Sequence, residues 1–267
     1  RDPYVYWNEE EECYDMLLAS RIKGAGALRG GCIALCRSKD LMNWSYEEPF
    51  YAPGMYVTME CPEMFQMGDY WYLVFSPISD LFTTHYRIGK SPQGPWMIPE
   101  DDVFDTRANY AIKTASDGKR RFAFGWIASK YGNRDFGPWE WGGTMVFHEL
   151  IQNPNDGTLQ VKVIHGVKEF YNEPQEKTSL VSYNNETPKG KNGNWVKSET
   201  LGAGLYSIPE DCFSVEMDVH VKQAHEVGIA LHVDAEMEKG YFLRMNQRKR
   251  EVAWDMWPRS EQGVYQW

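Results

Sequence analysis

The sequence predicts an all-β protein in which β-propeller blades are followed by part of a β-sandwich. Three observations carry that expectation. Short runs rich in Val, Ile, Tyr, Phe and Trp alternate with turn clusters, and helical periodicity is scarce. The runs come in groups of four, each group roughly 50 to 60 residues long. Smaller echoes keep the same period: Ser38-Lys39-Asp40-Leu41 stands before Trp44, and Ser91-Pro92-Gln93-Gly94 before Trp96.

The first group places Pro3 to Trp7 and Tyr14 to Arg21 on either side of the acidic turn Glu9-Glu10-Glu11-Glu12, then adds Cys32 to Arg37 and Trp44 to Tyr51. The second runs through Cys61 to Met67, the turn Gly68-Asp69, Tyr70 to Ser76, Tyr86 to Lys90 and a strand near Trp96. The third has Asn109 to Thr114, the turn Asp117-Gly118, Arg121 to Ile127, Thr144 to Gln152 and Leu159 to Ile164. Four strands per repeat mark propeller blades. Residues 1–166 therefore read as three blades, and 167–267 as a linker and a partial sandwich. Three blades do not close a ring, so the outermost sheet faces would meet water.

Beyond residue 166 the pattern loosens. Asn184 to Asn194, rich in Asn, Lys, Gly and Pro, reads as a loop. Phe213 to Val221, Val227 to Val233, Tyr241 to Met245 and Val252 to Trp257 read as antiparallel sandwich strands, too few for two full sheets.

Composition narrows the function. A net charge of −10 argues against nucleic acid or an anionic membrane as partner. No apolar run approaches the roughly 18 residues of a membrane span. Aromatic side chains make up 15% of the chain, enough to fill β cores and to stack on the apolar faces of sugar rings. The five cysteines (13, 32, 36, 61 and 212) form no CxxC pair and no cluster at zinc spacing. They read as free thiols, which suit a reducing compartment. No metal, phosphate-cradling loop or cofactor motif is expected.

The candidate chemistry lies in two triplets that open inner strands, Arg1-Asp2-Pro3 and Glu60-Cys61-Pro62. A carboxylate at the start of a blade would point toward the propeller axis. Glu60 there would act as a general acid, its pKa raised by burial and a neighbouring negative charge. Asp2 would occupy the equivalent place one blade earlier, with Pro3 fixing its backbone and Arg1 available for bidentate contacts. Alone, Glu60 could be a surface residue and Asp2 an ordinary Asp-Pro turn; their pairing one repeat apart favours function.

The two triplets, followed in order by Tyr110-Ala111-Ile112-Lys113-Thr114, Phe124-Gly125-Trp126 and Trp141-Gly142-Gly143, resemble segments of glycoside hydrolase family 32. These are the β-fructosidases: invertases, inulinases and levanases. The likeness covers essentially the whole chain. It implies a five-bladed propeller with an appended sandwich, cleaving β-fructosyl linkages of sucrose, fructo-oligosaccharides, inulin or levan with retention and without a cofactor. It also implies roles: Glu60 as general acid/base, Asp2 as transition-state stabiliser, and Arg1, Tyr110 and Trp126 as substrate-binding residues, with Trp141 a further pocket candidate. The implied nucleophile is an Asp in an Asn-Asp-Pro segment, and no such segment occurs in this sequence. Retaining chemistry needs both an attacking and a proton-donating carboxyl, so the chain alone is expected to be inactive, with upstream blades absent from the sequence.

Where the family often carries Pro-Arg-Glu-Leu, this chain has Phe147-His148-Glu149-Leu150, and His148 reads as a structural strand residue. Cys61 reads as a small apolar neighbour of the acid and Glu63 as a strand residue. Two alternatives stand beside the main reading: an inverting propeller hydrolase of the arabinanase/xylosidase type, and a carbohydrate-binding relative without catalysis.

Overall fold

Period-two burial organises the first sheet. Strand β1 (Tyr4–Asn8) and β2 (Cys13–Arg21) form a hairpin in which Cys13, Asp15, Leu17 and Ala19 are buried while the residues between them are partly exposed. The acidic turn is closed by the Glu10 and Glu11 amides, which donate to Asn8 Oδ1. β3 (Gly31–Ser38) and β4 (Ser45–Tyr46) complete a sheet of order β1-β2-β3-β4. The computed structural model describes residues 1–105, 107–174, 178–183, 189–190, 193–194, 196–208 and 212–258. The chain divides into two compact units, Arg1–His165 and Gly166–Trp267.

The second sheet joins β5 (Glu60–Met67) to β6 (Tyr70–Ser76) through the two-residue turn Gly68-Asp69, with Gly68 at the positive φ of 56° that such a turn uses. β7 (His85–Gly89) follows. The strand expected near Trp96 does not form. Only single bridges, Ile88 to Met97 and His85 to Val103, stand in its place. Pro92, Pro95 and Pro99 remove the N–H donors that a fourth ladder would need. The third sheet has all four strands: β8 (Asn109–Ser116), β9 (Arg121–Lys130), β10 (Trp139–Gln152) and β11 (Leu159–Lys162).

The core explains why the sheets stack face to face. β6 is buried on both faces. Leu73 and Phe75 pack with Leu17, Ile33 and Leu35 of the first sheet, while Tyr72 and Val74 pack with Ile112, Ala123 and Leu150 of the third. These are three successive propeller blades. Beside them a polar knot holds the outer part of the second sheet. Arg87 is fully buried and donates to Asp102 Oδ2 at 2.5 Å, to the Tyr56 hydroxyl at 2.7 Å and to the Tyr51 hydroxyl at 3.1 Å. His85 lies between Asp102, 2.9 Å from Nδ1, and Asp80, 3.2 Å from Nε2.

A short helix, α1 (His165–Phe170), leads onward. In the second unit β12 (Thr178–Tyr183) pairs with β15 (Ala203–Ser207), and β13 (Lys189–Gly190) with β14 (Gly193–Asn194). That second ladder falls within the expected loop Asn184 to Asn194, of which residues 184–188, 191 and 192 lie outside the described ones. β16 (Glu226–Leu231), β17 (Gly240–Asn246) and β18 (Glu251–Trp257) form an antiparallel meander. Phe213 to Val221, expected as a strand, lies outside any ladder. Its alternating apolar pattern is present, but a strand exists only through a hydrogen-bonded partner.

Candidate active site

The same irregularity opens the inner strand of all three blades. In the second, Glu60 pairs with Ser76 and Glu63 with Val74, so Cys61 and Pro62 together oppose Phe75. In the third, Tyr110 pairs with Trp126 and Lys113 with Phe124, leaving Ala111 and Ile112 opposite Gly125. In the first, Arg1 and Ala19 exchange backbone hydrogen bonds of 3.0 and 2.9 Å while Tyr4 pairs with Leu17, so Asp2 and Pro3 oppose Leu18. Each is a β-bulge, an extra residue that bends the strand and re-aims its side chains.

The residue after the first bulge partner is left-handed in every case: Asp2 at φ 58°, Cys61 at 49° and Ala111 at 54°. Such a conformation costs a non-glycine residue on the order of 1 kcal/mol or more, and it persists where the surroundings over-determine it. Gly125 is part of those surroundings. A Cβ there would stand 2.5 Å from Asn109 Oδ1 and 2.9 Å from the Tyr110 carbonyl, so only glycine lets the third bulge close.

The register corrects the expected equivalence of Asp2 and Glu60. Arg1, Glu60 and Tyr110 hold the same position in successive blades, and Asp2 matches Cys61 and Ala111. The three equivalent side chains meet. The Arg1 guanidinium contacts Glu60 Oε1, and the Tyr110 hydroxyl lies 2.6 Å from Glu60 Oε2 and 2.9 Å from the Ser76 carbonyl. Glu60 is 3% exposed. Asp2 joins them from the adjoining bulge. Its Oδ2 accepts the Cys61 amide at 3.1 Å and stands 3.8 Å from Arg1 Nε.

One phenolic proton between two acceptors suits a carboxyl that changes state. With Glu60 ionised, Tyr110 donates to it; with Glu60 protonated, the carboxyl can donate to Tyr110 while Tyr110 donates to Ser76. Burial pushes the Tyr110 hydroxyl well above the ordinary phenol range, so it keeps that proton. The Cys61 thiol is also raised, by burial and then by Asp2, and is a neutral neighbour rather than a nucleophile.

Tyr110 itself is buried, and its ring face is taken. Phe82 stacks on it at 4.0 Å with 7° between planes. Trp126 and Trp141 set their edges against both rings, at 5.2 Å from one another, and Trp141 is 70% exposed. Phe82 escaped sequence analysis. It lies in the loop after Ser76 with a left-handed φ of 57°, and nothing in its neighbours announces a ring aimed inward. That loop is tied down where Asp80 meets His85. His148 is not part of the constellation; it faces Asp105 at 3.6 Å. Among the described residues no group of three or more His, Cys, Asp or Glu side chains is placed to hold a metal ion.

The family model for the N-terminal domain of glycosyl hydrolases family 32 matches residues 1–161. The chain belongs to glycosyl hydrolase family 32. Among solved structures it is similar to a fructofuranosidase from Schwanniomyces occidentalis complexed with fructose, at 14% identity and a TM-score of 0.54, covering 98% of this chain and 53% of that one. It is also similar to an exo-inulinase from Aspergillus awamori, at 14% identity and a TM-score of 0.50, covering 96% and 51%. At these identities the likeness establishes the family 32 fold. The chain spans about half the length of the solved structures it matches. No curated protein sequence matches it.

Proposed function

We propose that this family 32 chain carries the acid/base and the transition-state stabiliser of a hydrolase that cleaves β-fructosyl linkages with retention. The observation that carries the reading is the meeting of Arg1, Glu60 and Tyr110 from three successive blades, with Asp2 beside them. Glu60 donates its proton to the leaving-group oxygen as the fructosyl C–O bond breaks. Asp2, held by the Cys61 amide and near Arg1, binds fructosyl hydroxyls more tightly as positive charge grows on the ring. In the second half, Glu60 takes a proton from water as water displaces the enzyme carboxylate. Trp126 and the exposed Trp141 set their edges against Tyr110, the partner of the acid, and offer stacking surface to the sugar.

Formation of the fructosyl ester needs an attacking carboxylate, which family resemblance assigns to an Asn-Asp-Pro segment. The 267 residues contain no such segment and on this reading are inactive by themselves. The substrates are fructose-containing oligo- or polysaccharides such as sucrose, inulin and levan.

The test uses the full product of the gene that encodes this chain. Incubation with sucrose, inulin and levan should release fructose, and NMR of the first product should show the β anomer. Folded protein that releases fructose from none of them, at any pH between 4 and 8, contradicts the proposal.

A further inference from the structure

Beneath the Arg1, Glu60 and Tyr110 layer lies a second set of equivalent residues, one step past each bulge: Tyr4, Glu63 and Lys113. Each reaches across to a neighbouring blade. The Tyr4 hydroxyl donates to the Met64 carbonyl at 2.7 Å. Glu63 is buried and accepts the Thr114 amide at 2.8 Å and the Thr114 hydroxyl at 2.7 Å. Lys113 reaches back and donates to the Pro62 carbonyl at 2.7 Å. Its ammonium also stands 5.4 Å from the centre of the Tyr4 ring, within cation–π range. One side chain from the third blade thus touches the bulged strands of the other two.

The contact with Pro62 is the informative one. Cys61 and Pro62 are the two residues that the bulge sets against Phe75, so the ladder is interrupted immediately after Glu60. An interrupted ladder leaves backbone groups that need other partners; the Cys61 amide finds Asp2, and the Pro62 carbonyl needs a donor. Lys113 supplies that donor. Keeping an ammonium here is costly: burial depresses its pKa, although Glu63, Cys61 and Asp2 oppose that effect. A Leu or Met would fill the space without that cost but would leave the carbonyl unmet.

We propose that Lys113 is a positioning residue for Glu60, holding the Glu60-Cys61-Pro62 bulge so that the acid stays aligned with the leaving-group oxygen. The inference rests on the proposed role of Glu60 and adds a residue to it. Misplacing a catalytic group by about 1 Å can cost on the order of 10²-fold in rate. The loss should depend on the leaving group, because a poor one needs the proton and an activated one does not.

The experiment compares wild type, Glu60→Gln, Lys113→Met, Lys113→Gln and Lys113→Arg in the full gene product, each with sucrose and with β-fructosyl fluoride. Lys113→Met should lower kcat/KM, which reports fructosyl transfer to the enzyme alone, by about 10²-fold on sucrose and only a few-fold on the fluoride. Lys113→Arg, which keeps a charged donor, should restore most of the sucrose rate. Should Lys113→Met not fold, Lys113→Gln, whose side chain is one bond shorter and uncharged and so leaves the Pro62 carbonyl out of reach, is expected to show the same split. Equal losses on both substrates, or no loss on either, overturn the positioning role. Wild type that hydrolyses neither substrate overturns the fructosidase reading instead. Leaving-group dependence in Glu60→Gln without it in the Lys113 variants sinks the role of Lys113 alone.

Discussion

Arg1 and Glu60 hold the same place in neighbouring blades, each the last paired residue before a β-bulge, and their side chains meet. The repeat that builds the propeller therefore also builds the site. One position, reused, delivers a cation, a carboxyl and a phenol to one point. The adjacent bulge residue delivers Asp2.

That arrangement makes Arg1 more than a local charge. Glu60 is buried, so removing its cation leaves a carboxylate with only Tyr110 for support. Hydrogen bonds to charged groups contribute about 1.5–3 kcal/mol. Arg1→Leu is therefore expected to lower kcat/KM on sucrose about 10- to 100-fold, and Arg1→Lys should recover little, since a point charge does not reproduce the guanidinium fork. Steady-state kinetics of the two variants check this; full recovery by lysine would mean that charge alone matters.

Asp2 and Glu60 should fail in different ways. General acid catalysis contributes about 10²–10⁴-fold, so Glu60→Gln should lose that much in kcat/KM on sucrose and far less in kcat/KM on fructosyl fluoride, whose departure needs no proton. On the proposed reading Asp2→Asn weakens stabilisation of the ring cation, which every substrate passes through, and should lower kcat/KM on both by similar factors. A plot of log(kcat/KM) against leaving-group pKa separates the two: steeper than wild type for Glu60→Gln, parallel to it for Asp2→Asn.

The aromatic cluster predicts a binding effect. Trp141 is exposed beside Trp126 and Phe82, and an aromatic contact contributes about 0.5–1.5 kcal/mol. Trp141→Ala should raise KM for oligosaccharides about 2- to 13-fold by that figure, with kcat little changed. Phe82→Ala should lower kcat as well, because it uncovers the ring whose hydroxyl touches Glu60. Equal and purely KM effects in both variants would remove Phe82 from the acid's support.

Away from the site, Asp102 should govern acid stability of the second blade. Burial raises its pKa, but the hydrogen bond and charge of His85, and then Arg87, outweigh burial and leave it depressed. A depressed carboxylate contributes stability that is complete above its unfolded pKa of about 3.9 and is lost as pH falls through the lower folded value. Asp102→Asn breaks a pair whose partner, Arg87, is fully buried, and should cost about 3 kcal/mol near pH 7. Urea denaturation between pH 2 and 7 tests both points. The difference between wild type and variant should shrink below about pH 4.

Much of this was legible in the sequence because it rests on short-range pattern. Alternation located β2, β5, β6 and β8 to within two residues and the start of β9, and the triplets marked where inner strands begin. What the pattern could not carry was register. A bulge adds one residue, and nothing in Arg1-Asp2-Pro3 says whether Arg1 or Asp2 aligns with Glu60; the hydrogen bonds to Ala19 and Ser76 decide it. Phe82 and Lys113 were hidden for a related reason. Their importance comes from what lies across a blade boundary, Tyr110 in one case and Pro62 in the other. The missing strand near Trp96 shows the opposite failure, where repeat pattern overrode three prolines that local chemistry should have weighted more.

The most direct test is a crystal structure of the Glu60→Gln full gene product with an intact fructo-oligosaccharide bound. The account predicts the glycosidic oxygen within hydrogen-bonding reach of position 60 and fructosyl hydroxyls on the Asp2 carboxylate, with Arg1 beside both. A fructosyl ring seated elsewhere, or contacting one of these residues while the other points away, would contradict it.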